Sequence, residues 1–484
     1  MRPHCRSCGW RRAVARVAAC AGAFALLAAC TLESEKPELA LDTPGKYRWA
    51  RGQVERSLPA LDWWRGFRSV ELTSLMEFAQ AANLDIAVAI AQIEQADALV
   101  RVANASLFPL INFNSSASQS KSSSAIGSGG GGGTTRLFSS SLSASYILDF
   151  WGKNQATVVA TEETAIASRY NREVVTLTAI TAVANTYFII LSSQDRIRIL
   201  RQNLDAATRI YDLIKQQFSA GTANAINVAQ QEALVAQVKA SIPPLEEILR
   251  QNFAALAVLI GRAPERVDIR GGSLDNISTP RVTPGIPSEL LNQRPDLRQA
   301  EALLAAANYD VRAARAAFFP TIQLTASGGT QSSALRSLFG PGAWFYTAAA
   351  SLAQPVFDGG LLEGQLQVQL ALRKQALQTY RKDVLTAFSN VEQALVAVEQ
   401  TTLTERYQRE VVRASQRAFS LSEQQLREGT INFVNLLQVE QTLFTAEDTL
   451  VIDQLARLQA YVSLYLALGG GWAPQIKDPS GHPM

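Results

Sequence analysis

Four short stretches of this chain alternate apolar and polar side chains, and two very long stretches repeat apolar side chains at helical spacing. In the first short stretch Ile111, Phe113, Ser115 and Ala117 face one way, and Asn112, Asn114, Ser116 and Ser118 the other. In the second, Leu142, Ala144, Tyr146 and Leu148 alternate with Ser141, Ser143 and Ser145. The third sets Ile322, Leu324 and Ala326 against Thr321, Gln323, Thr325 and Ser327, and the fourth lines up Trp344, Tyr346, Ala348, Ala350 and Leu352. Period two is the strand period, so strands are predicted over 108–120, 135–150, 319–331 and 343–357. Strands of about ten residues, apolar on one face and polar on the other, carry the transmembrane-barrel pattern, which is weak for any one segment. A half-buried strand of a soluble sheet fits each segment alone equally well.

After each strand pair comes a helical stretch. Lys153 to Gln217 is 65 residues without Pro or Gly, and Leu361 to Glu428 matches it with only Gly364 near its start. At 1.5 Å per residue such a helix is roughly 100 Å long. Val384, Phe388, Val391, Leu395 and Val398 keep the spacing of coiled-coil packing. Gly221 and Gly429 end the two stretches, as glycine ends helices. Return helices follow over 223–260 and 431–468, the first interrupted at Pro243-Pro244. An earlier helix from about Val70 to Ala105 breaks near Asn83.

The chain repeats itself. Phe108-Pro109 and Phe319-Pro320 are 211 residues apart, while Gly152 and Gly360, and Gly221 and Gly429, are each 208 apart. A repeat of this length with strands and long helices is a duplicated unit, not a solenoid of short repeats. The predicted organisation is a segment 1–29, an irregular segment 30–70, a first repeat 71–270, a linker 271–293, a second repeat 294–468 and a tail 469–484. Four strands cannot enclose a lumen, since about eight give an interior only just filled by side chains. Open sheet edges are not tolerated in hydrocarbon. If the strands span a membrane, several chains must share one barrel. No segment after residue 29 is expected to form an apolar spanning helix, so the strands are the spanning candidates.

Charge and cysteine usage narrow the picture. Residues 1–29 carry five Arg and no acid, so removing them takes the formal charge from +3 to about −2. A near-neutral chain makes no electrostatic case for nucleic acid. Arg2 to Arg16 followed by the apolar run Val17–Ala29 reads as a targeting segment, too short to span. It ends Leu27-Ala28-Ala29-Cys30, the pattern of a bacterial lipoprotein cleavage site, with Cys30 as the expected lipidation residue. Thr31, rather than Asp, favours the outer membrane. Cys5, Cys8 and Cys20 precede that site, and the only histidines are His4 and His482. A Cys/His metal site, a Cys–His pair and a Ser–His–Asp triad therefore lack residues. Neither an enzyme nor a resident cofactor or metal is expected; the one covalent group is lipid on Cys30, S-diacylglycerol and N-palmitoyl. The run Ser122 to Gly133 lacks the GK[ST] of a phosphate loop and reads as an exposed flexible loop.

Several longer segments carry a family resemblance. They are Asp62-Trp63-Trp64-Arg65-Gly66-Phe67, Leu256 to Pro264, Ile286 to Arg298, Ala316 to Pro320 and Gln354 to Gly360. In this order and spacing the chain resembles the TolC-like outer-membrane efflux proteins, in the lipoprotein branch called NodT or OprM-like. The resemblance covers Trp63 to Leu468. It implies an α/β membrane protein and a homotrimer, with four strands per chain in a shared β-barrel and the long helices in a periplasmic α-barrel. It implies a passive exit duct of a tripartite pump, working with a periplasmic adaptor and an inner-membrane transporter of the resistance-nodulation-division class. The family's periplasmic tip motif matches Gly221, Thr222, Gly429 and Thr430, implying adaptor docking there. Its gate positions match Asn227, Asn435 and Gln438, where several relatives carry carboxylates. A ring of amides provides neither charge repulsion nor a strong cation site. Asn227 and Asn435 read equally well as helix N-caps.

Within the same fold, a type I protein-secretion exit is the alternative; outside it, a poreless periplasmic coiled-coil scaffold. Arg294-Pro295-Asp296 reads as a helix start, Trp63-Trp64 as packing of the N-terminal segment, and Glu162-Glu163 and Glu246-Glu247 as solvated helix faces.

Overall fold

The computed structural model describes residues 44–50, 60–121, 134–267, 269–280, 282, 285–470 and 472. Cys30, the targeting segment, the Ser122–Gly133 run and most of the tail lie outside them. In chain order the elements are α1 (Val70–Ala82), α2 (Leu84–Ala105), β1 (Leu110–Lys121), β2 (Thr134–Leu148), α3 (Lys153–Ser219) and α4 (Ala225–Leu259). Then follow α5 (Pro287–Gln293), α6 (Pro295–Ala316), β3 (Thr321–Ser332), β4 (Trp344–Ala353), α7 (Leu361–Arg427) and α8 (Phe433–Ala467). Prolines set three strand limits. Pro109 and Pro320 immediately precede β1 and β3, and Pro355, which has no N–H to donate, keeps β4 from reaching 357.

The chain forms two compact units, each drawing on both halves of the sequence. Of the described residues, one comprises those within 97–164 and 303–377; the other comprises those within 44–96, 165–302 and 378–472. The first holds the sheet, an antiparallel set in the order β1-β2-β3-β4. The long helices start there. Asp149 accepts from the backbone N–H groups of Asn154 and Gln155, at 3.0 and 2.8 Å. Asp358 accepts from those of Gly360 and Leu362, both at 2.9 Å. These donors at a helix N-terminus stabilise the anion, and they hold the Asp358 carboxyl below its ordinary pKa. Trp151 stacks on Phe319 with ring centroids 4.6 Å apart, and its Nε1 donates to the Pro320 carbonyl at 2.8 Å. The turn before α3 is thereby pinned to the start of β3.

The second unit is helical and has three main cores. In the first, Val183, Phe188 and Ile190 of α3 pack with Leu72 and Met76 of α1, Leu256 of α4 and Val462 of α8. Trp63 stacks on Tyr465 at 4.8 Å, and Phe67 meets Phe188 edge-on at 5.2 Å. The Trp63-Trp64 pair is thus packing of the N-terminal segment. Glu71 ties the linker down by accepting from the backbone N–H groups of Arg270 and Gly271. Asp195, nearly fully buried, does the same through Leu274 N and Ser273 Oγ. A second core is built on the predicted α7 stripe. Val384, Phe388 and Val391 are buried, with Leu395 and Val398 packed against them. The third core joins α3, α4, α7 and α8 through Ile210, Ile214, Leu234, Phe419, Leu436 and Leu443.

The break at Asn83 is as the sequence suggests. Its side-chain oxygen caps α2 by accepting from Asp85 N and Ile86 N, and its amide donates to the Leu259 carbonyl at 2.7 Å. Two expectations are corrected. Helix α4 runs through Pro243 and Pro244 without interruption. Both prolines and the preceding Lys239 and Ala240 are exposed, so water can take the carbonyls that lose their helical donors. Helix α3, moreover, does contain an 18-residue window long and apolar enough to cross a membrane by composition. Half of that window is buried inside the protein, where Val183, Ala184, Phe188 and Ile190 belong to the first core. Its apolar character is used in packing.

Arg294-Pro295-Asp296 does start a helix, α6. Arg294 also pairs with Asp296 through two hydrogen bonds, at 3.0 and 2.6 Å, and donates to the Ala467 carbonyl at the end of α8. Glu246 meets Arg201 at 3.0 Å on the surface of the bundle.

Candidate functional site

The sheet unit and the helix ends each present a distinct surface. In the sheet, register decides which side chains share a face. The rows Phe113↔Leu142, Leu142↔Gly328 and Gly328↔Tyr346 are continuous, as are Ile111↔Ala144, Ala144↔Ala326 and Ala326↔Ala348. Directly opposed residues lie on one face. All four predicted apolar sets therefore fall on a single surface, and their polar partners fall on the other. A one-residue slip at any pairing would have mixed the two. Ile111, Phe113, Leu142, Trp344, Tyr346 and Leu352 are each more than half exposed. Such a band of exposed apolar residues has the chemistry of a lipid-facing surface.

The other face is hydrogen-bonded laterally. Asn114 Nδ2 donates to Ser143 Oγ at 3.0 Å, and Ser116 and Ser139 hydroxyls meet at 2.9 Å. Gly329 lets β3 lie close to β2 on this face; a Cβ there would sit 2.2 Å from the Ser140 carbonyl oxygen and 2.6 Å from Ser141 Cα. Among the described residues the sheet has four strands, and β1 and β4 each pair on one side alone. Their outer edges keep ladder donors and acceptors that need partners.

The helix ends are two copies of one turn. Gly221 and Gly429 adopt φ of 76° and 71°. The N–H groups of Thr222 and Thr430 donate back to the Gln217 and Gln425 carbonyls, both at 2.9 Å. The N–H groups of Gly221 and Gly429 donate to the Phe218 and Leu426 carbonyls. This pairing closes a helix with a left-handed residue, which favours Gly. The threonine hydroxyls add bonds to the same Gln217 and Gln425 carbonyls. Gly221, Thr222, Gly429 and Thr430 are all exposed.

Asn227 and Asn435 are not N-caps, contrary to one of the two readings above. Asn224 and Asn432 cap α4 and α8, accepting from Asn227 N and Val434 N at 3.0 Å each. Asn227 and Asn435 sit in the first helical turn, Asn227 half-buried, Asn435 and Gln438 exposed. Their amides are thus left for the surface. The true caps were legible: each is the Asn that follows Gly-Thr and one further residue, and Asn is among the preferred caps.

A buried polar pair lies just behind these ends. Gln231 and Glu440 are fully buried in the third core, and Gln231 Nε2 donates to Glu440 Oε2 and to the Ala207 carbonyl, both at 3.1 Å. Burial pushes the Glu440 carboxyl up to about 7; the Gln231 bond lowers it and Glu423 raises it further. Nothing in the hydrophobic periodicity signals this pair, because both positions read as ordinary polar breaks in an apolar stripe. Among the described residues no group of three or more His, Cys, Asp or Glu is arranged to hold a metal ion.

Comparison with known proteins follows the same outline. The profile of the outer membrane efflux protein family matches residues 75–262 and 286–470. The pyoverdine export outer membrane protein OpmQ of Pseudomonas aeruginosa is 36% identical over 453 residues, covering 92% of this chain and 95% of OpmQ. The toluene efflux pump outer membrane protein TtgC of Pseudomonas putida is 29% identical over 462 residues, covering 93% and 94%. The open state of the Neisseria gonorrhoeae MtrE outer membrane channel superposes with a TM-score of 0.80 at 28% identity, covering 91% of this chain and 97% of MtrE. The chain belongs to the outer membrane efflux protein family and is an outer-membrane efflux channel of TolC-like fold.

Proposed function

We propose that three copies of this chain form the exit duct of a tripartite efflux pump, with a periplasmic adaptor and an inner-membrane transporter of the resistance-nodulation-division class as partners. The observation that carries the trimer is the open four-stranded sheet with one continuous apolar face. Three such sheets joined edge to edge make about twelve strands, enough to close a lumen and leave no edge in lipid. The polar face then lines the water path. The long helices of the two repeats, 71–270 and 294–468, supply the periplasmic conduit. Transport through it is passive, and the transporter provides the energy.

Gly221, Thr222, Gly429 and Thr430 offer exposed, backbone-locked ends for adaptor docking, and Asn227, Asn435 and Gln438 supply amides to the constriction. Purified full-length protein in a planar bilayer should conduct in discrete steps and run as a trimer by mass photometry. A stable monomer without conductance would remove the proposal. Cys30 carries the lipid anchor in this reading, which rests on the Leu27-Ala28-Ala29-Cys30 sequence. Cys30→Ser should abolish palmitate labelling in cells, and labelling that survives the change would refute the anchor.

A further inference from the structure

The charges of the sheet are placed unevenly. The sequence segments 110–148 and 321–353, which carry strands β1 to β4, contain Lys121, Arg136 and Arg336 and not one carboxylate. All three cations lie at the hairpin end, and the acids Asp149 and Asp358 lie just beyond the opposite end. Lys121 closes β1 and Arg136 stands near the start of β2.

Register puts two of these cations on the apolar face. Ala117↔Phe138 is the last apolar pair, and the next pairs on that side are Gln119↔Arg136 and Lys121↔Thr134. Arg136 Nε donates to Gln119 Oε1 at 2.9 Å, which holds the side chain against the sheet. The apolar band on β2 runs from Leu148 to Phe138. At about 3.3 Å per residue it is roughly 33 Å along the strand, and a tilt near 40° brings it to about 25 Å, the apolar height of an outer-membrane barrel. Arg136 therefore stands at headgroup level. Arg336 sits in the β3–β4 hairpin, exposed, close to Leu335 and Phe339, which are 66% and 82% exposed. A cation beside bare apolar side chains suits the boundary between acyl chains and headgroups.

We infer that Lys121, Arg136 and Arg336 form an outward basic collar that binds the phosphorylated headgroups of outer-leaflet glycolipid. Guanidinium groups match phosphate oxygens in two-point geometry, and no neighbouring carboxylate in the sheet competes for them. Three cations per chain make nine around a trimer, each drawing on the anionic surface. The inference rests on the reading that these strands span the outer membrane with their hairpins outward.

The test is native mass spectrometry of the full-length trimer titrated with bis-phosphorylated lipid A, with dephosphorylated lipid A, and with phosphatidylethanolamine. The unaltered protein should retain the bis-phosphorylated form at least tenfold more tightly than the other two. Combining Lys121→Gln, Arg136→Gln and Arg336→Gln should erase that preference, while Lys121→Arg, Arg136→Lys and Arg336→Lys together should keep it. Equal retention of both glycolipids by the unaltered protein, or undiminished preference in the neutral variant, overturns the collar. Trimer mass and conductance recorded on the same samples separate the two levels. A conducting trimer without preference defeats the collar alone, and a non-conducting monomer defeats the duct reading together with it.

Discussion

Glu440 is a buried carboxyl on α8, two turns from the start of that helix. It is fully buried, its Oε1 and the Gln231 Oε1 both lack hydrogen-bond partners among the described residues, and the charge of Glu423 raises its pKa further. A proton on the carboxyl turns one acceptor of this acceptor-rich pair into a donor. The folded carboxyl titrates near 7 against an ordinary 4.5. The folded chain therefore holds the proton more tightly, and stability from this group falls as pH rises through the window from 4.5 to 7. The full span is on the order of 3 kcal/mol at 1.36 kcal/mol per pKa unit. Glu440→Gln should flatten this dependence and raise the thermal midpoint at pH 8 more than at pH 5.5. Parallel pH profiles for the variant and the unaltered protein would show that Glu440 does not titrate in the fold.

At the scale of elements, the strands and the long helices obey different rules. In the sheet, what matters is which face a residue takes. Ala326 lies mid-sheet between Ala144 and Ala348 on the apolar face, and its neighbour Ser327 lies between Ser143 and Thr347 on the polar one. Ala326→Arg should cost about 2–4 kcal/mol in a lipid bilayer. Ser327→Arg, one residue along, should leave folding nearly intact and alter single-channel conductance. Equal losses of folding at both positions would contradict a lipid-facing surface. In the helices, packing outranks local propensity. Helix α4 carries two adjacent prolines because their exposed side tolerates unpaired carbonyls, while Leu234, Val238 and Leu245 keep the buried side anchored. The Arg196–Asp448 pair, with contacts of 2.7 and 3.0 Å, joins α3 of the first repeat to α8 of the second.

At the scale of the whole molecule, the trimer proposed above treats the open sheet and the repeated helix ends as thirds of a ring. Under that proposal the amides at 435 and 438 recur three times around one axis. A ring of neutral groups leaves multivalent cations without a strong site. Asn435→Asp combined with Gln438→Asp should introduce block of conductance by multivalent cations. Conductance that stays indifferent to such ions would take both positions out of the constriction.

Much of this is legible in the amino-acid sequence itself. Period-two alternation placed the four strands and their faces, because side chains of a strand can go only to one side or the other. The absence of Pro and Gly over 153–217 disclosed a helix of unusual length, and Gly221 and Gly429 marked where it must stop, since the closing residue takes a positive φ. The repeat spacing showed that one solution is used twice. Other features depend on contacts between residues far apart in sequence. The apolar window in α3 reads like a membrane span until Leu72, Leu256 and Val462 are found against it. The raised Glu440 carboxyl exists only because four helices close around it. Local periodicity sets each segment's conformation through its own backbone and side-chain geometry. Which apolar surfaces end in protein and which are left for lipid is decided when distant segments meet, because burial is a property of the neighbours a residue acquires.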